Sequence, residues 1–175
     1  MRTLVFLCAL ALGAALAGSA TAQEPPNGLL SVEGGRGVVA LELRGSVLGR
    51  LGAGVLRVTD LTPRDRFGAF VVGRKLEEER IGPRTVVYRG QGLRFRMLGG
   101  GYRIVVRGSG ISLSVVGRGA VVLDGEPRLL GEDVGVYSLD GADCGLEPER
   151  CAPLPDLPQR FQLGLRPEEG SRSAR

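Results

Sequence analysis

Histidine and tryptophan are absent from the 175 residues, and all aromatic residues together make up 5%. Without imidazole the chain lacks the usual near-neutral proton shuttle, the Ser-His-Asp and Cys-His nucleophile systems and the commonest zinc ligand. Without Trp it also lacks the best aromatic platform for a sugar ring. Lysine is nearly missing: Lys75 stands alone and every other basic residue is Arg, the bias expected of a GC-rich genome that favours Arg codons. What is present is 43% hydrophobic and 24% charged, the balance of a folding chain and not of a disordered one. A formal net charge of +4 is too mild to imply nucleic acid as a partner.

The chain opens with Met1-Arg2, an uncharged apolar run from Thr3 to Gly18, and small residues at Ala20-Thr21-Ala22. That tripartite pattern predicts a secretory signal peptide over 1–22, cleaved after Ala22, followed by a short linker over 23–28. A lipoprotein would want Cys8 just after the apolar run, and it sits inside. No stable membrane insertion is expected once the signal is removed, so the protein is read as secreted or associated with the cell envelope. Cys144 and Cys151 then remain, and an oxidising compartment makes a disulfide between them the default.

From Leu29 to Leu139 apolar residues come in short runs rich in Val, Ile and Leu, punctuated by Gly at intervals of about ten, the spacing of an all-β sandwich or barrel. The expected fold is an antiparallel β-sandwich or flattened barrel of about ten short strands. It occupies a single domain over 29–152, with Gly-rich hairpin turns and an irregular, disulfide-clamped C-terminal segment. Arg74 to Arg84, with its crowd of charges and Pro83, reads as a solvated loop. The prolines after Ala152 and the loss of alternation predict a flexible tail over 153–175. An internal echo links Arg44-Gly45-Ser46 and Gly52-Ala53-Gly54 to Arg107-Gly108-Ser109 and Gly117-Arg118-Gly119, which suits a sandwich of two similar sheets or a solenoid.

Catalytic motifs are sparse. Gly99-Gly100-Gly101 lies between extended runs and precedes no helix, so it is no phosphate loop. Ser112 and Ser114 lie on a strand and not on the sharp elbow a serine nucleophile uses. A non-enzyme with no cofactor and no metal is expected. One constellation follows from geometry. A hairpin turn at Gly99-Gly100 would set Met97 against Tyr102, Phe95 against Ile104 and Leu93 against Val106 on a core face. The same register sets Arg96 opposite Arg103 and Arg94 opposite Val105 on the outer face, with Arg107 at the strand end. A short turn at Gly90 to Gly92 would put Tyr88 beside Arg94, and one at Gly108-Ser109 would put Ser114 beside Arg103 and Ser112 beside Val105. Like charges placed opposite destabilise a sheet unless something neutralises them, which predicts an anion-binding patch of Arg94, Arg96, Arg103, Arg107, Tyr88, Ser112 and Ser114. Its partner would be an anionic envelope polymer or an acidic protein surface; the competing expectation is a solvated face whose arginines are neutralised by acids from another strand.

The stretch Leu93 to Leu123, with Gly-Gly-x-Tyr-Arg-Ile-x-Val and Gly-Ser-Gly-Ile-Ser-Leu-Ser-Val-Val-Gly-Arg-Gly, together with the Cys144 and Cys151 end, resembles uncharacterised secreted all-β proteins of high-GC actinobacteria. The resemblance implies export and β architecture, and no activity or site residue. The expected function is a binding or scaffolding module at the envelope or outside the cell. The alternatives are a self-assembling module that pairs through strand edges and a hydrolase using carboxylates among Asp60, Asp65, Asp124 and Asp133.

Overall fold

The computed structural model describes residues 28–63, 68–126 and 134–164. The expected signal peptide, most of the linker, the end of the expected tail, Asp65 and Asp133 lie outside the described residues. Seven strands follow in order: β1 Gly28–Asp60, β2 Phe70–Arg80, β3 Thr85–Met97, β4 Gly101–Gly125, β5 Val136–Ser138, β6 Ala152–Pro153 and β7 Gln159–Leu163. A single 3-10 turn, Pro148–Arg150, interrupts the C-terminal segment. The all-β, antiparallel expectation holds, but the strands are fewer and two are far longer than expected, and the sheet is not closed into a barrel. It runs β2-β3-β1-β4-β7, with β5 added to β1 and β6 to β5.

Two strands dominate because most of the glycines read as hairpin turns are bends inside continuous strands. Gly54 and Gly108 face each other across β1 and β4. Both have positive φ, 147° and 149°, and a Cβ on either would strike a carbonyl of the opposite strand. Only glycine adopts that backbone and allows that approach. β1 runs along one side of β4 over Gly28–Arg44 and along the other over Gly37–Asp60, so that Val38 and Val55 both face Arg107. The bends line up across the sheet: Gly125, Gly37, Gly108, Gly54 and Gly90 form one row of register partners, and Gly28, Gly117 and Gly45 form another. Gly99-Gly100 does separate β3 from β4, yet these strands are not neighbours, because the second half of β1 lies between them.

Alternation along each strand sorts the side chains as expected. Leu93, Phe95, Met97, Tyr102, Ile104 and Val106 are all buried in one core, joined by Leu41, Leu51 and Leu56 from β1 and Leu123 from β4. Two further expectations need correction. The charged segment from Arg74 is not a loop as far as Arg80, because it pairs with β3 as an edge strand. The chain over 153–164 is not the expected flexible tail throughout, because β7 pairs with Gly119–Leu123 of β4, buries Leu163 and sets Phe161 against Tyr137 in a tilted contact with ring centroids 5.4 Å apart. The disulfide Cys144–Cys151 is present as expected. Among the described residues no helix is long and apolar enough to cross a membrane.

Candidate functional site

On the outer face, one cross-strand row reads Val72 (β2), Arg94 (β3), Arg50 (β1) and Ser112 (β4). The next row reads Phe70, Arg96, Leu48, Ser114, Ser31 and Ser138. Apart from Ser138, which is buried, these side chains face outward because their neighbours along each strand, such as Leu93, Phe95, Leu51 and Leu113, fill the core. Arg50 and Arg94 are therefore like charges directly opposite, a destabilising arrangement unless an anion intervenes. A break in register after Val32 places Glu33 beside Arg50, at 3.7 Å. No carboxylate of the described residues is paired with Arg94 or with Arg74 on β2.

These rows floor two adjoining cavities that share Glu33, Arg50, Arg94 and Ser112. The first, about 480 Å³, is lined by Ser31, Leu48, Ser114 and, from the disulfide-clamped segment, Gly141 to Asp143. The second, about 720 Å³, adds Arg74 and a floor containing Gly34, Gly52, Gly73, Gly92 and Gly110. At Gly34 the backbone is open, since a Cβ there would meet nothing within 4 Å, whereas Gly73 lies under the Leu93 side chain. The two together form one groove carrying three guanidinium groups, each able to fork onto a carboxylate or phosphate.

The wall of the first cavity is tied down locally. The Ser138 hydroxyl and the Ala142 N–H both donate to the Asp140 carboxylate, and these bonds hold that carboxyl below its ordinary pKa. The Cys144 N–H donates to Ser31 Oγ at 3.1 Å, and the disulfide closes the loop behind it.

Of the residues expected in an anion patch, Arg94, Ser112 and Ser114 line this groove. Arg96 is next to it, its guanidinium 5.1 Å from the Phe70 ring centre. The expected pairing of Arg96 with Arg103 does not occur: with β1 inserted between their strands, Arg103 faces Thr59 and Glu42 and is ion-paired to Glu42 at 2.9 Å. For Arg103 the competing expectation, neutralisation by another strand, is the outcome. Arg107 lies beyond the Gly108 bend, opposite Val38 and Val55. Tyr88 is not beside Arg94; it faces Leu56 and Glu78, is buried, and its phenol is pushed above its ordinary pKa by that burial and by Glu78. Ser114 faces Leu48 and Ser31 instead of Arg103, and Ser112 faces Arg50 instead of Val105.

Sequence reasoning missed Arg50, Arg74, Glu33 and Asp143. Arg50 was legible as the outward residue between Gly49 and Leu51, but not its neighbours. Arg74 was hidden by the charge run that read as a loop. Of the carboxylates considered for hydrolysis, Asp60 accepts the Thr62 N–H at 2.8 Å and Asp124 faces Val38. Among the described residues no group of three or more Cys, Asp or Glu side chains is placed to hold a metal. Comparison with protein-family models, curated proteins and solved structures found no match to this chain.

Proposed function

We propose that the protein is an exported β domain that binds an anionic polymer of the cell envelope, phosphate-rich or uronic, in the groove on its outer face, without turning it over. The observation that carries this reading is the convergence of Arg50, Arg74 and Arg94, from three different strands, on one glycine-floored groove, two of them without an acidic partner among the described residues. Guanidinium groups held on three neighbouring strands, two of them without an acidic partner among the described residues, are preorganised for repeated anionic groups, since little ordering is needed on binding. The Ser31, Ser112 and Ser114 hydroxyls at the same surface supply neutral hydrogen bonds of the kind sugar hydroxyls use. Export agrees with the tripartite N-terminal pattern and with the disulfide.

Retention on immobilised polygalacturonate at low salt tests the reading. Arg50→Ser, Arg74→Ser and Arg94→Ser together should weaken retention about tenfold or more, as loss of several screened contacts predicts. A control with Arg44→Ser, Arg57→Ser and Arg107→Ser should keep most of it. Equal loss in both triple variants reduces the effect to net charge and removes the groove from the account; no loss in the first removes it as well.

A further inference from the structure

Going beyond the polymer groove, we infer that the same face of the sheet docks onto an anionic lipid bilayer and lies on it without spanning it. Large apolar side chains are concentrated here. Val72 and Phe70 on β2 and Leu48 on β1 belong to the two outward rows already described, and in the next row Ser46 faces Val116, which faces Leu29. Leu98 continues that row, since the N–H of the following Gly99 donates to Ser46 Oγ at 3.1 Å. These six apolar residues are 41 to 53% exposed, at positions that a half-wetted sheet ordinarily gives to polar residues. Beyond the Gly54 and Gly108 bends the outward apolar residues Val38, Val55, Val105 and Val122 are only half-buried valines, none of them exposed. Leu146, in the disulfide-clamped segment, is a seventh, 82% exposed. Its turn is fixed: the Leu146 and Glu147 N–H groups donate to the Asp143 carbonyl at 3.0 and 2.7 Å, and the disulfide closes the segment. Clustered apolar surface held in water marks a contact site.

Charge selects the occupant. Arg94 faces Val72, and Arg96 stands between Phe70 and Leu48 with its guanidinium over the Phe70 ring. Neither has a carboxylate partner among the described residues, and no acidic residue stands in the row of Phe70 or in that of Val116. A second copy of this face would bring like charges together, which disfavours self-association. An anionic bilayer answers both features: the headgroup boundary takes up the apolar side chains, and the lipid phosphates take the guanidinium groups. The apolar residues are spread over three strands among Arg and Ser and not gathered in one slot. That dispersion suits a fluid layer better than a protein partner, whose binding concentrates in a few well-packed pockets.

Cosedimentation at low salt tests the inference, using the chain from Gln23, the form that export leaves. Vesicles of phosphatidylglycerol and phosphatidylcholine in equal parts should bind it about tenfold or more tightly than vesicles of phosphatidylcholine alone. Leu48→Ser, Leu98→Ser, Val116→Ser and Leu146→Ser together leave the charge unchanged and should weaken binding to the mixed vesicles about tenfold, with retention on polygalacturonate unaltered. Circular dichroism reports whether the sheet is retained. Because the chain has no Trp, Leu146→Trp supplies a single indole whose emission should shift to the blue on the mixed vesicles. Equal binding to the two kinds of vesicle, full binding by the quadruple variant, or an unshifted indole overturns lipid docking. Loss of polygalacturonate retention in the quadruple variant assigns the apolar residues to the polymer and overturns it as well. Vesicles left unbound, while immobilised polyglutamate holds the wild type and releases the quadruple variant, overturn it in favour of an acidic protein. Vesicle binding by a wild type that polygalacturonate does not retain leaves lipid docking standing and removes the polymer reading.

Discussion

Gly49 stands at an inward position of β1, between Val47 and Leu51, where alternation calls for a core side chain. The Phe95 ring opposite occupies that volume, and a Cβ on Gly49 would collide with it and with Leu113. Gly49→Ala should therefore lower stability by about 1–3 kcal/mol through overpacking, and Phe95→Leu in the same chain should recover part of that loss in urea denaturation. Strictly additive losses would mean that the ring is not the obstacle. Gly54 differs: its φ of 147° and the approaching Arg107 carbonyl are backbone features, so no companion substitution should rescue Gly54→Ala. Asp140 supplies a residue-scale pH dependence. Its folded pKa is depressed by the Ser138 and Ala142 bonds, so its contribution is complete above the ordinary Asp range and is lost as pH falls through the folded value. Amide exchange at Ala142 should accelerate in that acid window, and Asp140→Ala should show the fast rate at neutral pH. Residue-scale facts were the most legible ones in the sequence. Inward and outward parity depends on a residue's own strand alone, which is why Leu93 through Val106 sorted correctly although their assumed partners were wrong.

At the scale of elements the antiparallel β architecture was legible, but the strand boundaries were not, chiefly because glycine serves a hairpin turn and an in-strand bend with the same residue. The internal echo held the clue. Its first glycine in β1, Gly45, pairs with the last bend region of β4 at Gly117, and Gly54 pairs with Gly108, so the two similar segments are antiparallel partners bent at matching places. A chain that bends at Gly54 continues past its partner, whereas one that turns there would fold back, and the two outcomes give different neighbours to every outward Arg. Hence Arg94 meets Arg50 and not Val105. The C-terminal elements were partly legible, since the two cysteines named their own bridge while β7 was hidden among prolines. That bridge spans a sequence separation of 7, and replacing both cysteines by Ser should cost about 2 to 3 kcal/mol in the chain-entropy account. Because the clamped segment touches the sheet through Ser31 and forms the groove wall, exchange protection should fall at Cys144→Ser and its neighbours before it falls in β4. Simultaneous loss in β4 would show that the bridge supports the whole sheet instead.

Among the described residues the main path of the sheet ends in two open edges, β2 and β7, with the two-residue β6 ending the branch through β5, and an open edge invites another copy. β2 is the longer, 11 residues with one side unpaired. It also carries the devices that discourage such pairing. Its register breaks on either side of Arg74, Lys75 is the one described non-glycine residue with positive φ, at 48°, and Glu77, Glu78, Glu79 and Arg80 follow in sequence. A strand with charges along it and a left-handed kink in its middle cannot offer a flat run of N–H and C=O groups, and identical acidic runs repel when two copies approach antiparallel. The charge run that reads as a solvated loop is thus an edge strand kept single. Light scattering of the wild-type protein should give a monomer mass across a wide concentration range at low salt. Lys75→Thr, Glu77→Thr and Glu79→Thr together should flatten and neutralise the edge and produce association that rises with concentration. A self-assembling wild type would reverse the argument, above all if the same three substitutions dissolved the assembly, because the charges would then be making the contact they are here held to prevent.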